Sequence, residues 1–498
     1  MKSDAVKSPT KRVKVSRTAL RLRADPRRVL ARLFIPGDPS RVKDIIGRIL
    51  SMTEPAVAAE LRRVMHGFAP RHKGIEQIFE SHFEAVAGEI PIEVHISPDR
   101  RLLIGAFFTL EYSLESVALF NPSIVPHPDQ SGLKTSELRF VMSLRACGEG
   151  HISSIAFRSG VVDAQGDVRM DALTPYAMSG KVVENKVYEK HPFFLKLIEM
   201  GAYDECSQSV IDRLEDSFTL SALHDTIDRL REENGSNPHF DETAEKMLWL
   251  ARSNYELWFP EHAELSERVI FPVTDSESRG IEDARFVHFQ EDDGRSIYYA
   301  TYTAYNGFTI LPQIIETDDF CHFKIISLNG RCVQNKGMAL FPRRIADEYN
   351  MLARLDGEHL YVMNSDNLHF WNEAKKLKWK RQPWEYIQVG NCGSPIETEA
   401  GWLLLTHGVG PMREYCMGAI LLDLKDPSKV IGSLSEPLIM PAEDERDGYV
   451  PNVVYSCGGL VHNDNLIIPY AVSDTWTSVA VLPLAELLGR LKGRRRDA

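Results

Sequence analysis

The chain has 498 residues, more than one compact core of ordinary size requires, so we expect one large repeat-built domain with additions, or two to three domains. Its 43% hydrophobic and 26% charged residues are ordinary globular values and exclude a disordered or fibrous protein. The net charge of -12 argues against a nucleic-acid binder, which would carry a basic face.

Up to residue 90, the sequence predicts a disordered lead followed by helices. Residues 1–16 look like a short basic lead without apolar periodicity. Within 17–90 the pattern is helical, and Ile75, Phe79 and Phe83 recur at the spacing of one helix face. This segment carries no chemical motif, and we interpret it as a helical cap or a dimerisation element.

From residue 91 the pattern changes to short strands, and residues 91–187 are predicted to form the first part of a sheet-rich domain. Predicted strands include residues 92–96 and 140–144. A second helical stretch, residues 188–256, interrupts them with apolar and polar runs that favour helix. We predict that it is a helical insertion between strands.

Residues 257–485 are predicted to be almost entirely short strands, followed by a basic tail at 486–498. The clearest strands cover residues 296–305, 359–363, 402–406, 416–424 and 466–472. Turn signals such as Asn306-Gly307 and Asp356-Gly357 separate them. Strands this short and this numerous indicate a sandwich, a barrel or a propeller.

Cysteine usage and hydropathy indicate a cytoplasmic protein. The seven cysteines are scattered without a C-x-x-C pair, which argues against a disulfide framework and against a zinc ribbon. The N-terminus lacks the apolar stretch of a secretory signal, and no apolar run approaches the roughly 20 residues that span a bilayer. We therefore expect no membrane partner and no nucleic-acid partner.

One acidic motif could carry catalysis. Glu282 and Asp283 lie between Arg279 and Arg285, ahead of an aromatic strand that ends at Tyr305. On the pattern alone, a turn with local ion pairs is the simpler interpretation. The functional alternative is a carboxyl group that acts as the acid in glycosyl transfer. Flanking arginines would lower its pKa, so a working acid also needs burial as an opposing effect.

Three later segments place cations beside glycine turns or at strand ends, and they contain Lys336, Arg354 and His407. Taken singly, each is more typical of surface charge than of a site. If the three converged on one pocket, they would bind an anion. The acids and histidines show no spacing typical of metal ligands, so no metal site is predicted.

Taken in order, these segments resemble glycoside hydrolase family 130, which contains β-mannoside phosphorylases and some β-1,2-mannosidases. Residues 280–285 are similar to the family's G-x-E-D-P-R signature. Further similarity runs through residues 121–123, 144–145, 340–342, 401–405, 407–408, 422–424, 430–432, 450–458 and 473–474. The resemblance covers about residues 100–170 and 268–485, and leaves out the N-terminal helices and the helical insertion.

The resemblance implies a mainly β protein, a five-bladed β-propeller with an N-terminal helical segment and a helical insertion. It also implies an enzyme that inverts the anomeric carbon at the central pore. The catalytic acid of the family falls on Asp283. In the phosphorylases its proton is thought to pass through a sugar hydroxyl.

Two groups of binding residues follow from the same resemblance and from the motif that contains Asp283. The candidates for binding the sugar are Asn121, Arg145, Arg285, Tyr305 and Asp474. The candidates for binding phosphate, at positions where the phosphorylases gather positive charge, are Lys336, Arg354 and His407.

Two positions depart from the family pattern. Ala284 replaces the usual proline, which loosens the turn of the signature. Glu397 lies where a phosphorylase would carry lysine. Exchanging a cation for a carboxylate weakens a phosphate site, and it offers the base that a hydrolase needs.

Two reactions on β-mannosides therefore stay open. An inverting hydrolase needs two carboxyl groups about 6.5–9.5 Å apart, whereas a phosphorylase needs one acid and cations that position phosphate. The three cations favour phosphorolysis to α-mannose 1-phosphate, with inorganic phosphate as co-substrate and no cofactor. Glu397 favours hydrolysis by a β-1,2-mannosidase, in which it would be the base.

A non-catalytic sugar-binding propeller is the alternative from another class, and the intact Asp283 argues against it. In each case the expected partner is a β-linked manno-oligosaccharide or a mannosylated sugar. The helical additions are candidates for the contacts of a homo-oligomer.

Overall fold

The computed structural model describes residues 13–90, 94–183, 187–235 and 237–492. Most of the predicted disordered lead and six residues of the predicted basic tail lie outside this range. Val13 and Val15 pack at the edge of an apolar cluster near the C-terminus. Residues 486–492 belong to a helix that buries Leu487 and Leu491, so the tail cannot begin at residue 486 as predicted.

The N-terminal part is a helical unit that also contains strands. Its elements are β1 (Ser16–Arg17), β2 (Val29–Leu33), α1 (Pro39–Leu50), α2 (Glu54–Phe68), α3 (Ile75–Glu84), α4 (Pro98–Phe107) and β3 (Thr109–Ser113). Helix α3 buries Ile75, Phe79 and Phe83, which confirms the face predicted from their spacing. Helices α1 to α4 share one apolar cluster that is separate from the sheets.

Two predictions for this part differ from the structure. Strand β2 lies inside the segment predicted as helical, because its backbone pairs along its length with β3 and tertiary pairing overrides local pattern. Residues 94–96 form no strand, and 91–93 lie outside the described residues. Helix α4 follows at once, since Ser97 caps it by accepting a bond from the Arg100 amide and Pro98 occupies its first turn. The unit therefore ends near residue 113.

The helical insertion separates two groups of strands. The strands before it are β4 (Ala118–Pro126), β5 (Leu138–Cys147), β6 (Ser153–Val162), β7 (Val168–Met170), β8 (Met178–Ser179) and β9 (Lys181–Val182). The insertion consists of β10 (Val187–Glu189), α5 (Lys190–Glu199), α6 (Glu205–Ile211), β11 (Ser217–Thr219), α7 (Leu220–Asn234) and α8 (Pro238–Arg252). Its helices enclose their own apolar cluster, which includes Leu223 and Met247.

The rest of the chain is strands up to a final helix. The first of these strands are β12 (Tyr255–Trp258), β13 (Arg268–Ile270), β14 (Ile281–Gln290), β15 (Ser296–Tyr305), β16 (Ile310–Thr317) and β17 (His322–Ser327). Next come β18 (Ala339–Leu340), β19 (Tyr349–Ala353), β20 (Tyr361–Ser365), β21 (Glu373–Lys376), β22 (Gln388–Asn391), β23 (Ile396–Thr398) and β24 (Gly401–Val409). The last elements are β25 (Tyr415–Leu422), β26 (Val430–Ser433), β27 (Val454–Tyr455), β28 (Leu460–His462), β29 (Asn465–Val472), β30 (Trp476–Pro483) and α9 (Leu484–Lys492).

These strands form a mainly β fold in which larger sheets follow each other along the chain. The first has the order β4-β5-β6-β13-β8 and the second β14-β15-β16-β17-β12-β9. The third is β18-β19-β20-β21, the fourth β22-β24-β25-β26 and the fifth β1-β30-β29-β27. The fifth sheet joins distant parts of the chain, because Ser16 of β1 lies opposite Val481 of β30.

Each of these sheets packs on the next, and the fifth also packs on the first. Strand β4 contacts β14, β14 contacts β18, β19 contacts β22, β25 contacts β27, and β29 contacts β4. A buried apolar cluster fills each junction; Phe157 against Phe286, with ring centroids 5.9 Å apart, joins the first sheet to the second. Leu466 and Leu403 share the cluster between the fifth and fourth sheets.

The predicted strands are largely present. Residues 296–305 form β15 with the predicted bounds, and 402–406 and 466–472 lie within β24 and β29. No helix in residues 13–90, 94–183, 187–235 and 237–492 has the length and apolar character needed to cross a bilayer.

Candidate active site

The site begins at two matching irregularities in neighbouring strands. The pairing of β4 with β5 shifts between Phe120 and Ser123, and the pairing of β14 with β15 shifts between Glu282 and Arg285. Within these breaks, Asn121 and Asp283 adopt left-handed backbone, with φ of 48° and 55°. Asn and Asp tolerate this conformation better than most residues, and such breaks re-aim side chains near functional sites.

Asp283 lies at the centre of a ring of donors. The Asn121 amide donates to its Oδ1 at 2.6 Å, and Arg145 Nη1 and Arg285 Nη2 lie 3.6 and 3.8 Å from its carboxylate oxygens. Burial alone would raise the pKa of Asp283. The guanidinium groups of Arg145 and Arg285, with the Asn121 bond, outweigh burial and hold this pKa below its usual value.

Glu282 is a second acid in the site, for which the sequence predicted no role. Its carboxylate accepts a bond from Arg145 Nη2 at 3.1 Å and a short one from Lys336 Nζ. The ring of Tyr305 lies 5.7 Å from the same Nζ. Glu282 therefore holds Arg145 and Lys336 on one side of Asp283, and Tyr305 lies beside them.

Arg285 connects the second sheet to the fifth. Its Nη1 donates to the Asp283 carbonyl at 3.0 Å, and its Nη2 donates to the Tyr455 hydroxyl at 2.5 Å. Tyr455 belongs to β27 of the fifth sheet, and its ring lies 4.9 Å from that of His407 in the fourth. Sequence patterns gave Tyr455 no role, although it lies within the family-like segment 450–458.

Asp474 joins the site from the turn between β29 and β30. It also has left-handed backbone, with φ of 49°. Burial, and then the charge of Asp283, raise the pKa of Asp474 to about 6, while Arg145 and Arg413 oppose the shift. Asp474 and Asp283 are thus close enough to interact, and their pKa values move in opposite directions.

The three predicted phosphate-binding residues differ in charge. Lys336 has an ammonium group paired with Glu282, and Arg354 lies near enough to His407 to act on its pKa. Burial, and then the charges of Arg354 and Arg285, lower the pKa of His407 to about 3. His407 is therefore neutral at physiological pH and, contrary to the prediction, adds no positive charge. Its Nδ1 lies 3.2 Å from the Asn391 carbonyl oxygen.

Several buried polar atoms of the site have no hydrogen-bond partner within the described part of the chain. They are Asn121 Oδ1, Arg145 Nε, Arg285 Nε, Arg354 Nε, Ser394 Oγ and Thr406 Oγ1. Buried polar atoms are bonded in the great majority of cases, so a group of unpartnered atoms requires an explanation. Three of these atoms are guanidinium N–H donors, which suit an anion or the oxygens of a sugar.

Glu397 is not brought into this group. It lies on β23 and forms a two-pronged ion pair with Arg343, at 2.8 and 2.5 Å, and its side chain is 42% exposed. Arg343 in turn lies over the Trp402 ring. A carboxylate neutralised in this way at the surface is poorly suited to activate water for attack.

A possible metal-ligand trio lies elsewhere, in the insertion, where Asp204, Cys206 and His239 bring ligand atoms within 4.8 Å of one another. The Asp204 carboxylate already has partners, since it caps α6 through the Ser207 amide and accepts a bond from Thr243. The prediction that no metal is bound stays a prediction.

Comparison with known proteins locates the relatives of the sheet-rich part. A family model of glycoside hydrolase family 130, described as beta-1,4-mannooligosaccharide phosphorylase, matches residues 243–492. The match covers just over half of the 498 residues and begins inside α8. It contains every candidate site residue except Asn121 and Arg145.

Relatives at the level of sequence agree with this match. A 1,2-beta-oligomannan phosphorylase from Thermoanaerobacter sp. (strain X514) is 37% identical over 234 residues, which are 45% of this chain and 75% of that protein. A beta-1,2-mannobiose phosphorylase from Listeria innocua serovar 6a is 30% identical over 240 residues, 46% of this chain and 66% of that protein. The solved complex of the beta-1,2-mannobiose phosphorylase from Listeria innocua with beta-1,2-mannobiose aligns with a TM-score of 0.46 and 22% identity, over 77% of this chain and 94% of that one.

Proposed function

This chain belongs to glycoside hydrolase family 130, and we propose that it cleaves a β-linked mannoside by phosphorolysis, releasing α-mannose 1-phosphate. The observation that carries the proposal is the cluster of positive charges around Asp283, to which Arg145, Arg285 and Lys336 contribute. Arg354 adds a further charge, close enough to His407 to act on its pKa. A phosphate ion bound beside these groups would have its charge offset by theirs.

The reaction needs one acid, one anionic nucleophile and no second carboxylate. A phosphate oxygen forms a bond to the anomeric carbon while the glycosidic C–O bond breaks. The leaving oxygen takes a proton that we assign to Asp283, by way of a sugar hydroxyl as the family resemblance implies. Attack from the face opposite the leaving group inverts the anomeric configuration, so a β-mannoside gives an α-phosphate.

The charges around Asp283 link its proton to phosphate. Without substrate, Arg145 and Arg285 keep the pKa of Asp283 low, so its carboxyl group is ionised at neutral pH. A phosphate ion bound to the same guanidinium groups would offset their field and raise this pKa. Phosphate would then act both as nucleophile and as the ion that prepares the acid, which fits a reaction that depends on it.

The geometry of Glu397 argues against hydrolysis. The inverting hydrolase mechanism requires a free base across the sugar from the acid. Glu397 was the predicted base, and it is held by Arg343 at a partly exposed position. The relatives that are named phosphorylases support the same choice.

We further propose that the five sheets are the blades of a β-propeller with the Asp283 group at its centre. The circular series of contacts between sheets and the apolar cluster at each junction support this arrangement. Asn121, Asp283, His407 and Tyr455 come from four different sheets. A central pore is where side chains from so many sheets can meet.

Inorganic phosphate is the sole co-substrate in this proposal, and the compartment is the cytoplasm. All seven cysteines are free thiols, a pattern typical of reducing compartments. The sugar is a β-linked manno-oligosaccharide, as for the relatives named above.

Product analysis on β-1,2-mannobiose and on β-1,4-mannosyl-glucose, with and without inorganic phosphate, tests the proposal. We expect α-mannose 1-phosphate to form only when phosphate is present. Free mannose formed at the same rate without phosphate would establish a hydrolase and overturn the proposal. Sugar binding without either product would establish a non-catalytic sugar-binding protein.

A further inference from the structure

A groove of about 940 Å³ separates the helical insertion from the second and third sheets. One wall is helix α8 with the end of α5, and it presents Trp249 and Glu245 to the groove. The other wall is the turn after β15, with Asn306, and the loop before β18, with Gln334. The volume lies in the range of about 300–1,000 Å³ that is typical of small-molecule sites.

Both loops of the second wall lead directly into the candidate active site. Asn306 follows Tyr305, whose ring lies near the Lys336 ammonium group. Gln334 lies two residues before Lys336 on the same loop, and Lys336 bonds to Glu282. A ligand that leaves the Asp283 group along these loops would enter the groove.

The insertion is fixed to the loop that carries Lys336. Lys196 Nζ of α5 donates to the Leu328 carbonyl at 2.8 Å, and Glu199 accepts a short bond from the Gly330 amide. Gly330 needs to be glycine here, since its φ is 110° and an added Cβ would lie 2.1 Å from the Trp371 carbonyl oxygen. The groove and the candidate phosphate site therefore share one anchored loop.

The groove suits a neutral polyhydroxylated ligand. Its acidic and basic side chains are equal in number, four of each, so it offers no net field for an ion. Asn306, Thr309 and Gln334 add amide and hydroxyl groups that both donate and accept hydrogen bonds. Trp249 supplies an aromatic surface, and the mixture of a few polar groups with apolar surface is typical of a ligand site.

We infer that this groove binds the part of a longer manno-oligosaccharide that extends beyond the bond being cleaved. The inference rests on the proposed phosphorolysis and extends it, because it makes the insertion a determinant of substrate length. The end of α5, which precedes the segment that matches the family model, supplies Lys196, Glu199 and Met200 to the groove, whereas most of α8 and the loops of the sheets lie within that segment.

The experiment compares β-1,2-linked mannobiose, mannotriose and mannotetraose as substrates. For the wild-type protein, we expect KM for the tetraose to be about tenfold below KM for the biose, with kcat unchanged, since the added contacts act equally on bound substrate and transition state. Glu245→Trp fills the groove from the exposed face of α8, and Gln334→Ala removes an amide. Either variant should abolish the length dependence and leave mannobiose kinetics as in the wild type.

Glu232→Trp is the matched control, because Glu232 is exposed on α7 and does not line the groove. It should keep the wild-type length dependence. Equal KM values for all three lengths in the wild type would overturn the inference while leaving phosphorolysis intact. Equal losses of activity on all three substrate lengths in Glu245→Trp would also overturn the inference.

If no mannoside is cleaved, the proposed function is wrong. A binding measurement then tests the groove separately. Calorimetric titration of mannotetraose into the wild type and into Glu245→Trp then decides. Weaker binding to the variant by about tenfold would support the groove. Equal binding, or no binding to either protein, would overturn it.

Discussion

The side-chain amide of Asn121 donates a 2.6 Å hydrogen bond to Oδ1 of Asp283, 162 residues further along the chain. Both residues have left-handed backbone at a register break, one in the first sheet and one in the second. The two breaks thus aim a carboxylate and an amide at each other across the junction of the sheets, and Arg145, Arg285 and Asp474 lie close to this carboxylate.

Asn121→Gly tests the role of this bond without adding backbone strain, because glycine adopts positive φ freely. Removing the amide should raise the pKa of Asp283, since the bond lowers it. The limb of the rate profile on which activity falls with rising pH should therefore move to higher pH, and kcat should fall. Asn463→Gly, at an exposed turn with φ of 50°, should change neither. A lower kcat without a shift of this limb of the pH–rate profile would contradict the electrostatic role of Asn121.

Asp283→Asn should lower the rate of phosphorolysis by at least about a hundredfold, the scale of general acid catalysis. Asparagine keeps the shape of the side chain and tolerates the φ of 55° at this position, so the fold should persist. Initial rates measure the loss of turnover, and calorimetric titration with sugar measures whether the folded protein still binds its ligand. Asp293→Asn, at an exposed turn, is the control. An unchanged rate would remove Asp283 from the mechanism.

Lys336→Ala should raise KM for phosphate more than KM for the sugar, by about tenfold or more, because it removes one cation of the proposed phosphate site. Steady-state kinetics with each substrate varied in turn measures the split. Lys324 lies on β17 and is paired with Glu316 of β16. Lys324→Ala should leave both KM values unchanged. Equal increases in both KM values would contradict the phosphate role of Lys336.

Asp474→Asn should stabilise the protein at neutral pH. The pKa of Asp474 is about 6 in the folded protein against 3.8 for the free side chain, so the folded state favours the protonated form. The stabilisation that comes from the protonated Asp474 carboxyl group is fully present below pH 3.8, and it is lost as the pH rises to about 6. The variant should therefore gain on the order of 2 kcal/mol over the wild type across this window. Urea unfolding at several pH values measures the difference, and parallel curves would contradict it.

Glu397→Gln should leave phosphorolysis within about twofold of the wild-type rate, because Glu397 is paired with Arg343 away from the Asp283 group. The free energy of unfolding should change by less than about 1 kcal/mol, as for other exposed ion pairs. Initial rates and urea unfolding check both values. A collapse of activity would restore Glu397 as a catalytic base and reopen the case for hydrolysis.

Local pattern predicted the strands and part of the site, because both depend on neighbouring residues. The strand-like pattern and the turn signals that separate the strands gave β15 its correct bounds, and the helical spacing of Ile75, Phe79 and Phe83 identified the buried face of α3. Strand β2 was missed because its partner β3 lies about eighty residues away, beyond the reach of local periodicity. Ser97 and Pro98 were a readable start signal for α4 that the strand-like run before them concealed.

Ordered motifs assembled the list of site residues, but their charges came only from the structure. In the sequence, His407 follows the predicted strand 402–406 and precedes a glycine, which says nothing of the burial that lowers its pKa to about 3. Glu397 looked like a free carboxylate because its partner Arg343 lies 54 residues earlier. The roles of Glu282 and Tyr455 as partners of Lys336 and Arg285 likewise depend on contacts between distant segments.

The pairing of Ser16 with Val481 also constrains how the molecule is made. The N-terminal helices and the insertion each have a separate apolar cluster, so they can fold while the ribosome is still synthesising the later strands. The pairing of β1 with β30 can form only after β30 has been translated, and until then β1 and the part of β4 that packs on β30 lack this partner. This pairing therefore comes late in biosynthesis, and a nascent chain stalled before β30 would expose apolar surface of the kind that chaperones bind.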